Sequence, residues 1–152
     1  MHFLIFTLVI AICFGLNEGI KCNIDTRNIP ECQGSSLLNT LEIQNKLSPG
    51  SILKVNCSSN KHEDDGLHEI KVNDKYQIFI RERGPGNRIV WRCTFRYGDK
   101  VEHSQIIWHA YRGAATTRTG QKRSWIARFD GIYLEKNNEI QGLKHRWIVT
   151  KK

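Results

Sequence analysis

The sequence predicts an all-β protein: a two-sheet antiparallel β-sandwich of about eight short strands, stabilised by disulfides. Three observations carry this. Short apolar–polar alternations with the period of a half-buried strand recur at spacings of roughly 8–14 residues. Clusters of Gly, Pro, Asn and Asp punctuate them. An even set of cysteines follows a leader-like N-terminus.

The leader is residues 1–19. Positions 3–16 (FLIFTLVIAICFGL) are apolar apart from Thr7, Cys13 and Gly15. The run falls short of the ~20 residues that span a bilayer. Small residues for cleavage stand at Gly15 and Gly19, so a secretory signal peptide cut near 15–19 is expected, with a secreted, extracellular product. Residues 20–36 form an N-terminal extension holding Cys22 and Cys32, and residues 37–152 the β-sandwich domain.

Within that domain the first strand is 37–44 (LLNTLEIQ), closed by Ser48-Pro49-Gly50. Leu53, Val55 and Cys57 then alternate with Lys54 and Asn56. Residues 60–66 (NKHEDDG) read as a polar loop, and Leu67, Ile70 and Val72 as a short strand ended by Asn73-Asp74. Tyr76, Ile78 and Ile80 alternate with Gln77, Phe79 and Arg81 up to the turn Gly84-Pro85-Gly86-Asn87. The clearest strand follows, with Ile89, Trp91, Cys93, Phe95 and Tyr97 on one face. Further strands are expected at 106–112, 125–129, 132–135 and 145–149, a basic loop at 113–123 and a loop at 137–143. Trp91, Trp108, Trp125 and Trp147 all fall in strand patterns, where core packing is the default reading.

Cys13 leaves with the leader. Cys22, Cys32, Cys57 and Cys93 remain, an even number that allows three connectivities. Their spacing suits no metal site, and no cofactor is expected. Asn56-Cys57-Ser58 is an N-glycosylation sequon.

The ordered run Asn45, Leu47, Gly50, Val55, Cys57, Ser59, Asp64, Asp65 and Leu67 resembles the plant self-incompatibility S-protein family and its homologues. So do Trp91, Cys93, Phe95 and Tyr97, and then Trp125 followed by Asp130-Gly131-Ile132-Tyr133. The likeness covers roughly residues 40–149. Isoleucines at 78 and 80 replace the family's common aromatics, and the second cysteine pair expected before the late Trp is missing. Because that pair is lost as a unit, the resemblance implies that Cys57 bonds Cys93, leaving Cys22 and Cys32 as a private staple. It also implies a small secreted β-sandwich acting as a non-enzymatic ligand, whose exposed polar loops recognise a membrane receptor or other cell-surface protein.

The charge balance, 23 Lys+Arg against 15 Asp+Glu with a net +8, favours an anionic partner. Two stretches qualify as partner-binding loops. One carries His62, Glu63, Asp64 and Asp65, which do not follow the ligand order of a calcium loop. The other, 113–123, carries Arg118, Lys122 and Arg123. A secreted effector or defence protein binding an anionic polysaccharide or lipid is the alternative reading, and a basic nuclease a distant third. His68, His103, His109 and His145 are scattered, and no hydrolase, metalloprotease or nucleotide-binding motif is present. The expectation is therefore no enzyme, no nucleic-acid partner and a monomer.

Overall fold

The computed structural model describes residues 22–23, 31–32, 38–82, 84–86 and 88–151. The predicted signal peptide lies outside them. The chain divides into two units, Met1–Ser35 and Ser36–Lys152. In the first, β1 (Cys22–Asn23) pairs antiparallel with β2 (Glu31–Cys32), setting the backbone of Cys22 opposite that of Cys32. Their side chains, and so the predicted bridge, lie outside the described set.

The second unit is the all-β sandwich. Its strands are β3 (Asn39–Asn45), β4 (Leu53–Ser59), β5 (Asp64–Ile70), β6 (Lys75–Ile80), β7 (Val90–Tyr97) and β8 (Val101–Arg112), followed by β9 (Lys122–Arg128), β10 (Gly131–Lys136), β11 (Glu139–His145) and β12 (Ile148–Lys151). They form two five-stranded sheets, ordered β11-β10-β9-β3-β6 and β12-β8-β7-β4-β5. Every neighbouring pair is antiparallel except β3 with β9, which run parallel. β3 lies between β6 and β9, antiparallel to the first and parallel to the second.

Alternation builds the core. Leu41 and Ile43 of β3, Ile78 and Ile80 of β6, Trp125 of β9 and Ile132 of β10 form one buried cluster with Val55, Trp91, Phe95, Ile107 and Tyr111 of the other sheet. The Trp125 indole N–H crosses between sheets to donate to the Ala110 carbonyl at 2.8 Å. Cys57 and Cys93 stand opposite each other on β4 and β7, with Cα atoms 4.1 Å apart, and are disulfide-bonded. The bridge ties neighbouring strands of one sheet and closes a loop of 36 residues, worth about 4 kcal/mol in the chain-entropy account.

Several expectations need correction. The sandwich has ten strands, not about eight. The 137–143 segment is not a loop: Asn137 and Asn138, both at positive φ (49° and 67°), make a two-residue hairpin turn into β11. β11 hid because it is an exposed edge strand with bulged pairing to β10, so its sequence (EIQGLKH) lacks alternation. Trp108 is 61% exposed rather than a core residue; a register shift between β7 and β8 re-aims this stretch, and the Arg92 guanidinium sits 5.2 Å from its ring.

Candidate functional site: the loop-bearing end

Strand direction decides which loops meet. β4 ends at Ser59 opposite Trp91, and Val90 lies opposite Arg112, so the loops after β4, before β7 and after β8 leave the second sheet at one end. In the first sheet Asn39 faces Ile80, and Thr40 faces Lys122. The segments 60–63, 81–82, 84–86, 88–89 and 113–121 therefore emerge together, beside the Asn137-Asn138 turn.

Short side chains lock these loops. Asn60 donates from its backbone to the Val90 carbonyl (3.0 Å) and from Nδ2 to the Arg88 carbonyl (3.1 Å), and its Oδ1 accepts from the Val90 amide (2.9 Å). Ser59 Oγ accepts from the amides of Lys61 and Glu63, closing a turn in which His62 has φ 63°. Asn39, buried, donates to the Arg118 carbonyl (2.9 Å) and accepts from the Gln121 amide (2.8 Å).

The strongest tie is at Glu82, buried at the end of β6. Its carboxylate accepts from Tyr111 Oη (2.6 Å), from the Arg118 amide (3.0 Å) and from Arg118 Nη2 (3.0 Å). Arg118 Nη2 also donates to the Arg112 carbonyl. Burial pushes the Glu82 carboxyl up, yet these donors from Tyr111 and Arg118 outweigh it and hold the group below its ordinary range. The same burial and hydrogen bond drive the Tyr111 phenol far upward.

A second buried carboxylate, Glu42, lies on the outer face of the first sheet, on β3 beside the edge strand β6. Gln44, Gln77 and Ser124 donate to it at 2.8, 2.6 and 3.0 Å, and Lys122 and Lys75 pair with it at 3.0 and 3.5 Å. Burial opposes ionisation, but the hydrogen bonds from Gln44, Lys122, Gln77 and Ser124 prevail and bring its pKa down to about 2.

The predicted basic loop is corrected by these contacts. Lys122 and Arg123 belong to β9, not to a loop. Lys122 is committed to Glu42 and Arg118 to Glu82. Arg123 is half-buried, and burial together with the nearby Arg118 charge lowers its pKa. In their place the same end exposes Arg81, Arg88 and Arg112, none of which forms an ion pair among the described residues. Arg81 and Arg88 flank the Gly84-Pro85-Gly86 turn, a position that composition alone marked only as a turn.

Of the predicted acidic loop, His62 and Glu63 are exposed in the turn, while Asp64 and Asp65 begin β5. Asp64 remains exposed, and its Oδ1 accepts from the Gly66 amide. Asp65 turns toward the sandwich edge. It accepts from Tyr76 Oη at 2.5 Å and pairs with His68 Nε2 at 3.1 Å, while the His68 and Tyr76 rings stack at 3.9 Å. β5 and β6 are edge strands of different sheets, so this cluster closes one open side of the sandwich. Burial and the Asp65 carboxylate push the Tyr76 phenol far up, which suits a structural donor rather than an acid–base group. Among the described residues no group of three His, Cys, Asp or Glu could hold a metal ion.

With this geometry in place, residues 40–147 match the family described as plant self-incompatibility protein S1. The chain belongs to that family. Within this S1 family it is similar to S-protein homolog 14 of Arabidopsis thaliana, 32% identical over 99% of both chains. It is also similar to S-protein homolog 25 of the same plant, 34% identical over 88% of this chain and 87% of that one. A solved structure of an SPH (self-incompatibility protein homologue), from a family described as small, highly stable, secreted plant proteins, shares the fold. Its TM-score is 0.58 at 23% identity, covering 75% of this chain and 97% of that one.

The S1-family motif residues are mostly scaffold. Asn45, buried, donates to the Ser51 and Ile70 carbonyls and accepts from the Leu47 amide, shaping the turn after β3. Tyr133 Oη donates to Asp130 at 2.6 Å, and a Cβ at Gly131 (φ 150°) would meet the His145 carbonyl oxygen and the Leu143 side chain at 2.5 Å. Only glycine fits there.

Proposed function

We propose that this S1-family protein is secreted and acts as a non-enzymatic recognition ligand, docking on a cell-surface protein through the end that carries segments 60–63, 84–86 and 113–121. One observation supports this above others. Segments distant in sequence come together at one end of a frame in which Glu42 and Glu82 hold Lys122 and Arg118, and that end exposes Arg81, Arg88 and Arg112 as well as Glu63 and Asp64. Hydrogen-bonded backbone with exposed side chains of both signs favours a specific protein contact over a uniform attraction to anions.

The exposed arginines also support the second reading, in which the same end binds an anionic wall polysaccharide or lipid. The test separates them. Labelled protein is bound to wall-free plant protoplasts and, in parallel, to polygalacturonate and anionic vesicles. Arg88→Glu with Arg112→Glu, and separately Glu63→Lys with Asp64→Lys, are then compared. A protein receptor predicts saturable protoplast binding, sensitive to protease, that both pairs of changes weaken. Strengthened polyanion binding in the lysine pair, with protease-resistant protoplast binding, would favour the anionic surface.

A further inference from the structure

The outer face of the second sheet exposes large apolar side chains on either side of a polar centre. Leu67, Asn56, Thr94 and Ile106 stand side by side on β5, β4, β7 and β8. Leu67 and Ile106 are 64% and 40% exposed, and Trp108 and Ile148 add 61% and 58% nearby. Left bare, such a patch promotes association. In its middle sits Asn56, exposed and pointing outward because its neighbours Val55 and Cys57 point into the core. Asn56 heads the sequon Asn56-Cys57-Ser58.

We propose that Asn56 carries an N-linked glycan and that this glycan, not a protein partner, covers the outer face of the second sheet. Strands lie ~4.8 Å apart, so the first sugars of a chain on Asn56 lie within about 10 Å of both Leu67 and Ile106. The transfer joins Asn56 Nδ2 to C1 of an oligosaccharide held on a lipid diphosphate. The C1–O bond breaks, the lipid diphosphate leaves, and one Nδ2 proton passes to the transferase.

The fold also fixes the order of events. β4 is hydrogen-bonded to β5 on one side and β7 on the other, and Cys57 inside the sequon is bonded to Cys93. A strand so held cannot bend into an enzyme's active site. Glycosylation therefore precedes the pairing of β4 with β7 and the loss of two electrons and two protons by the two thiols to a disulfide oxidant. The inference uses the secretion proposed above but not the loop-end docking, and secretion is scored separately as protein in the medium.

The full chain is expressed in a plant secretory host, and the product from cells and medium is treated with peptide-N-glycosidase. A single glycan-sized mass step is expected, absent from both Asn56→Gln and Ser58→Ala. An unchanged mass of the unsubstituted chain after treatment would overturn the proposal. Cys93→Ser leaves the sequon intact but prevents the bridge, and its occupancy should equal or exceed that of the parent; a lower occupancy contradicts the order. Asn56→Gln should bind more of an apolar fluorescent dye, and adding Leu67→Ser with Ile106→Ser should reverse this. Dye binding unaffected by loss of the glycan would show that it does not cover the face.

Discussion

Arg118 donates from Nη2 to Oε1 of Glu82 at 3.0 Å, and both side chains are largely withdrawn from water. A cation that sequence offers to a partner is thereby a strut of the frame. Arg118→Ala leaves the buried carboxylate with only Tyr111 and one backbone amide. It should destabilise the domain by about 2–4 kcal/mol, seen as a fall of roughly 10 °C or more in the thermal midpoint. Arg92→Ala, which removes only an exposed cation–π contact with Trp108, should cost under about 1 kcal/mol.

Tyr111→Phe probes the same tie without changing a charge. It deletes the 2.6 Å donor to Glu82 and should cost about 1–2 kcal/mol by denaturant unfolding. The Glu82 pKa should move up toward its ordinary value, measurable by NMR titration of its carboxyl.

Glu42 sets the acid limit of the fold. Its folded pKa of about 2 lies below the ordinary 4.5, so its contribution is complete above pH 4.5 and is lost as pH falls from there toward 2. The shift corresponds to roughly 3 kcal/mol. Glu82, also lowered, adds loss in the same direction. Urea unfolding between pH 6 and pH 2 should show this decline, and Glu42→Gln should flatten it while lowering stability near pH 6 by about 2 kcal/mol.

The disulfide should act chiefly on the unfolded chain. Cys57→Ala with Cys93→Ala removes about 4 kcal/mol by chain entropy, plus packing lost at two buried positions. The unfolding midpoint measures the loss; a midpoint unchanged in the double variant would contradict it.

Sequence made much of the scaffold legible, because burial on one face prints a period of two. Leu53, Val55 and Cys57, or Trp91, Cys93 and Phe95, announce their strands and their inward face directly. Edge strands β11 and β12 bury little and print nothing regular. The basic stretch was legible as charge but not as structure. Whether Arg118 and Lys122 are free depends on Glu82 and Glu42, which lie 36 and 80 positions away in the chain and meet them only through topology. Arg81, Arg88 and Arg112 were equally hidden, since composition does not say which cations end up exposed at the loop-bearing end.

The division of arginines into struts and contacts is tested most directly by measuring thermal midpoint and protoplast binding on the same two proteins, Arg118→Ala and Arg112→Ala. Arg112→Ala should keep its midpoint within about 2 °C, a change of ~0.5 kcal/mol or less, while losing several-fold in affinity. Arg118→Ala should lose its midpoint and, where still folded, bind as the parent does. The opposite pattern, a stable Arg118→Ala that no longer binds beside an Arg112→Ala that binds normally, would contradict the account.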